Sequence, residues 1–98
     1  MKSIKVEVWD PELRNRVQAV LNPGTRMELA AEDFETPREF VMVAHAARNT
    51  SVPFMVLKHR VVNEGRTLAE AIRESKPDLD AKAEVARALA AAQADLGE

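Results

Sequence analysis

Apolar positions recur along this chain at two spacings. Ile4, Val6 and Val8 alternate with Lys5, Glu7 and Trp9, and the period of two in β-branched residues predicts a short N-terminal β-strand. From Asp10 onward the spacing is helical. Leu13, Val17, Val20 and Leu21 share one face of a helix that Asp10-Pro11-Glu12 starts and Asn22-Pro23-Gly24 stops. Met27, Ala30, Ala31 and Phe34 fit a short helix, with a strand pairing to residues 4–9 as the alternative. Phe40, Val43, Ala44 and Ala47 form the inward stripe of a helix over 37–49. Val41 lies off that stripe, so this helix is expected to be contacted on more than one side. Leu57 and Val61 set a further helix that begins at Pro53 and ends at Gly65. Leu68, Ala71 and Ile72 set another, which Pro77 stops. Residues 79–96 are alanine-rich and strongly helix-forming, with a thin stripe of Val85, Leu89, Ala92 and Leu96.

The helix starts carry their own signals. Thr-x-x-Glu recurs at Thr25–Glu28, Thr36–Glu39 and Thr67–Glu70, the spacing of the capping box, in which side chains satisfy the first free backbone N–H groups. Three such starts in a short chain predict a mainly α fold. The expected architecture is a single compact domain over 1–78, with the terminal helix 79–98 either docked on it or dimerising.

Ninety-eight residues suffice for one domain with a small core, and much of the apolar share is alanine, which buries little area. Cysteine is absent, which removes disulfides and thiolate metal sites. With no apolar leader and no bilayer-length segment, the expectation is a cytoplasmic protein with no membrane partner. The net charge is −2, and its distribution says more than its sum. Residues 1–36 hold five Lys/Arg and seven Asp/Glu, residues 37–69 five and two, residues 70–98 four and seven. The middle third is therefore the only basic one.

That third also contains the main candidate motif. A helix over 37–49 runs into Thr50-Ser51-Val52-Pro53, and a second helix follows with Lys58-His59-Arg60 in a row. Two helices joined by a tight turn, the second one basic, read as a helix-turn-helix over 37–64. Ala46 and Ala47 are small where the second helix crosses the first. Ser51 stands at the turn position usually held by Gly. Val52 plugs the corner, and Leu57 and Val61 face inward. The window Ala47–Val61, with its trailing Gly65-Arg66-Thr67-Leu68-Ala69-Glu70-Ala71-Ile72, resembles the helix-turn-helix segments of small phage, plasmid and transposon-related DNA-binding proteins. It covers about a quarter of the chain. It departs from their pattern where Pro53 replaces a Ser/Thr cap and where Phe54, Met55 and Val56 replace polar residues.

The resemblance implies a small regulator of transcription from a phage or mobile element, with double-stranded DNA as partner and the helix 53–63 in the major groove. Lys58 and His59 would reach bases or phosphates, with Arg48, Arg60 and Arg66 on phosphates and Phe54 or Met55 on thymine methyls. So few cations bind duplex weakly as a monomer, which suits a homodimer through Val85, Leu89, Ala92 and Leu96. No phosphate loop, nucleophile arrangement or HExxH is present, so an enzyme is not expected. His45 has no second ligand at metal spacing, and neither metal nor cofactor is expected. The competing expectation is a non-enzymatic interaction or assembly factor, a phage-type adaptor using the apolar Phe54, Met55 and Val56 surface against a protein partner. The two differ in an observable: a positive surface around the named cations, or a continuous apolar patch.

Overall fold

Six helices follow in order in the computed structural model, which describes Val6 and residues 9–98: α1 (Pro11–Val20), α2 (Met27–Ala30), α3 (Pro37–Thr50), α4 (Phe54–Lys58), α5 (Leu68–Ser75) and α6 (Ala81–Leu96). Among the described residues there is no strand, and none of these helices is long and apolar enough to cross a membrane. The strand expected at 4–9 rests on Ile4 and Val8, which lie outside the described residues. At its described end, the Trp9 N–H donates to the Val6 carbonyl at 3.1 Å, a turn contact.

The starts of the helices follow from their caps. Asp10 accepts from the Glu12 N–H at 2.7 Å, with Pro11 in the first turn where a missing N–H costs nothing. Thr36 caps α3 by accepting from the Glu39 N–H, and Thr67 with Glu70 forms a complete capping box on α5. Thr25 does not cap. Arg26 holds that position without a side-chain bond, and α2 is a single turn fixed by burial of Met27 and Ala30.

The core gathers around α3. Phe40, Val41, Val43, Ala44 and Ala46 are all buried on it. The four aromatic side chains of the chain meet there. Phe40 lies 5.6 Å from Phe34, 6.0 Å from Trp9 and 6.0 Å from Phe54, edge-on to the last. Val17 and Leu21 of α1, Leu57 of α4 and Ala71 and Ile72 of α5 close the remaining sides.

Helix α6 covers the far face of α3. The start of α3 lies beside the end of α6, joined by Arg38 to Glu98 at 2.6 Å, and His45 Nε2 meets Asp95 Oδ2 at 2.7 Å. Arg38, Val41 and His45 share one stripe at i, i+3 and i+7, so the fully buried Val41 lies on the side α6 covers. The buried side chains of α6 include Ala81, Ala88 and Ala92, which are small and allow close approach to the helices it packs on. Ala92 is fully buried and Val85 packs against the core, while Leu89 and Leu96 are half-buried. In this docked state, part of the stripe read as a dimer seam is used inside the chain.

Ser51 ends α3 in the left-handed conformation, at φ 63° and ψ 17°. A non-glycine residue there costs roughly 1–2 kcal/mol, part of which glycine recovers against its own unfolded-state entropy. Ser51→Gly is expected to raise stability by about 0.5–1 kcal/mol. Urea titration checks this, and an unchanged or lower midpoint would show that Ser51 is held by something other than its backbone.

Candidate interaction surface

The surface is built where α3 ends and α4 begins. The left-handed turn at Ser51 reverses the chain, Val52 tucks into the core at 4 % exposure, and Pro53 starts α4. The Thr50 hydroxyl, itself buried, donates back to the Ala46 carbonyl at 2.7 Å and accepts from the Val52 N–H at 3.3 Å, which fixes the corner.

The expected outward residues of the second helix separate into three groups. Phe54 is not a surface residue. It is 9 % exposed and belongs to the aromatic cluster, because the first turn of α4 faces Phe34 and Phe40. Lys58 also turns inward. Its ammonium donates to the Leu29 carbonyl at 3.0 Å and lies 5.6 Å from the centre of the Phe34 ring. Burial pushes its pKa below the ordinary lysine value, opposed by the nearby carboxylates of Asp33 and Glu32. Met55 and Val56 remain outside, at 64 % and 37 % exposure.

The remaining cations are largely neutralised. After Lys58 the helix widens into a π turn over His59–Asn63, and Gly65 at φ 70° ends it. This arrangement brings Glu64 back among the cations. Arg60 lies 3.2 Å from Glu74 and 3.8 Å from Glu64, and Arg66 lies 3.2 Å from Glu74 and 3.8 Å from Glu64. His59 Nε2 is 3.5 Å from Glu64. Arg48 stands apart. It is exposed, donates to the Ala19 carbonyl at 3.2 Å and has no carboxylate within 4 Å among the described residues.

One surface residue escaped the sequence reading. Leu29 on α2 is 50 % exposed and lines the same cleft as Met55, with Leu21, Arg26, Pro53 and Phe54. Its signal was present, since Leu29 is the apolar residue of the 27–34 segment that falls off the inward stripe of Met27, Ala30, Ala31 and Phe34. Among the described residues, no group of three or more His, Cys, Asp or Glu is placed to hold a metal ion.

Comparison with known proteins gives no match to a family model, to a curated protein or to a solved structure.

Proposed function

We propose that this protein is a non-enzymatic interaction factor that docks a protein partner on the surface formed by Leu29, Met55 and Val56. The observation that carries this reading is their combined exposure beside a basic segment whose cations are already engaged. Leu29 and Met55, which line one cleft, and the exposed Val56 beside Met55 in sequence gain most when a partner removes them from water, at about 25 cal/mol per Å² of apolar area. An internal amine at Lys58 and ion-paired guanidiniums at Arg60 and Arg66 contribute little to a polyanion, because each would have to break its present contacts first.

A second reading has one specific observation behind it. The left-handed Ser51, the buried Val52 and the inward Leu57 fit the scaffold of a helix-turn-helix, with double-stranded DNA as the partner and transcriptional control as the role. Against it stands the supply of free charge. Phosphate neutralisation drives duplex affinity, and of the cations named for it only Arg48 is outward and without an acid beside it.

Two measurements separate the readings. Titration of a random duplex at low and moderate salt is expected to show no tight retention, and Lys58→Ala with Arg60→Ala is expected to leave that result unchanged. Selection from a display library of helix-forming peptides is expected to yield binders that Met55→Glu abolishes. Strong duplex retention that falls steeply with salt, or peptide binders indifferent to Met55, would replace the docking reading.

A further inference from the structure

The occupant of this surface can be named by its chemistry, on the basis of the docking role proposed above. Two clefts adjoin on this side of the molecule. One, of about 310 Å³, lies between the ends of α1 and α3 and the start of α4, and Arg48 stands on its wall. The other, of about 330 Å³, lies between α2 and α4, with Arg26 on its wall. They share Leu21, Asn22, Pro53 and Phe54, so they adjoin as a two-cleft groove.

The lining of this groove is positive, although the chain as a whole is acidic. The protein carries 16 acidic residues against 14 basic ones. Neither cleft has a carboxylate in its lining, and each has one arginine. Both arginines are exposed, and neither has an acidic partner within 4 Å among the described residues. Elsewhere, Arg14, Arg16, Arg38, Arg60, Arg66 and Arg87 are ion-paired, and Arg73, away from the groove, has no ion pair within 4 Å among the described residues. The α2–α4 cleft is thus mainly apolar, the cleft at the ends of α1 and α3 is the more polar of the two, and each has a guanidinium without an ion pair on its wall, Arg26 also attracting the Glu28 carboxylate.

We infer that the groove receives an acidic amphipathic helix of a partner protein. Apolar side chains from one helix face enter the two clefts, and Asp or Glu beside that face meets Arg26 and Arg48. Strand addition is not the mode this surface offers, since no strand is present among its described residues. Two guanidiniums flanking the exposed Leu29 and Met55 suit a carboxylate-bearing helix better than duplex DNA, whose binding draws on many phosphate contacts and leaves Leu29 and Met55 unused.

The test uses the full chain and a display library of helical peptides. Their apolar residues are fixed at i, i+4 and i+7, and the other positions are drawn from Asp, Glu, Lys, Arg, Ser and Gln. Survivors are expected to be enriched in Asp and Glu. A synthesised survivor is expected to lose about tenfold or more in affinity for Arg26→Glu with Arg48→Glu, and a Lys-substituted version of it to regain binding to that variant. Arg26→Glu alone breaks no side-chain hydrogen bond or ion pair among the described residues, and what it changes locally is the charge beside Glu28. Met55-dependent survivors with no acidic bias, or indifferent to both arginines, overturn this occupant and leave the docking role standing. An absence of Met55-dependent survivors overturns both. Self-association abolished by Met55→Glu, followed by sedimentation, or duplex DNA displacing the peptide, would give the groove to a second copy or to nucleic acid instead.

Discussion

A chain ending after Asp78 is expected to lose its cooperative thermal transition. The reason lies in α3, whose Val41 face would meet water once α6 is gone. The same deletion removes the His45–Asp95 contact at 2.7 Å and the Arg38–Glu98 pair at 2.6 Å, and strips the cover contributed by Ala81, Ala88 and Ala92. A domain of this size has roughly 5–15 kcal/mol of net stability, and exposing one whole side of its central helix removes an amount of that order. Circular dichroism melts of the full and shortened chains, with sedimentation of both, give the comparison. A sharp melt within a few degrees of the full chain, at lower mass, would show that α6 serves assembly and not the fold of the single chain.

This outcome bears on the dimer expected from Val85, Leu89, Ala92 and Leu96. Sequence spacing alone finds an apolar stripe but cannot say whether the surface that covers it belongs to the same chain. For α6 the missing information was the face of α3. Val41, lying off the stripe of Phe40, Val43, Ala44 and Ala47, already implied a second contact on α3. Pairing that surplus face with the alanines of α6 accounts for both. The alanine bias, read as weak burial, acts here as permission for close packing.

Elsewhere the helices were legible because their punctuation is local. Asp10-Pro11, Thr36-Pro37, Thr67 with Glu70, and the stops at Gly24, Gly65 and Pro77 act through neighbouring backbone groups, so sequence is enough. Thr25 failed as a cap because α2 is only one turn long, and tertiary burial of Met27 and Ala30 decides where it starts. The candidate site was less legible. Outward and inward positions on α4 were assigned by analogy with longer second helices. Here the regular helix is five residues long and then widens, which changes what each side chain faces. Lys58 illustrates the limit: a lysine in a basic run is expected in solvent, yet a carbonyl on α2 and an aromatic ring hold it inside. Leu29 was overlooked because a single apolar residue on a short helix gains meaning only when Met55 is brought beside it.

The second large effect follows from Phe40, which joins this site to the core. Its ring touches Trp9, Phe34 and Phe54 at centroid separations of 6.0, 5.6 and 6.0 Å, and it is fully buried. Phe40→Ala is expected to cost about 3–5 kcal/mol, since it removes the transfer energy of a phenyl ring and leaves a cavity that rigid neighbours fill only in part. Phe40→Leu keeps most of the volume and is expected to cost about 1–2 kcal/mol. Urea unfolding of the three proteins measures both, with an unchanged m-value required for the comparison. A loss below about 1 kcal/mol for the alanine variant would mean that the aromatic cluster is not the centre of the fold. The link to the proposed docking role runs through Phe54. Its ring is held edge-on against Phe40, and its backbone sets the positions of Pro53 and Met55 on either side. In a Phe40→Leu protein that remains folded, Phe54 has a poorer seat and the start of α4 is less fixed. Peptide binding at the groove is therefore expected to weaken, although residue 40 lines neither cleft. Undiminished affinity in that variant would show that the docking surface holds its shape without the aromatic cluster beneath it.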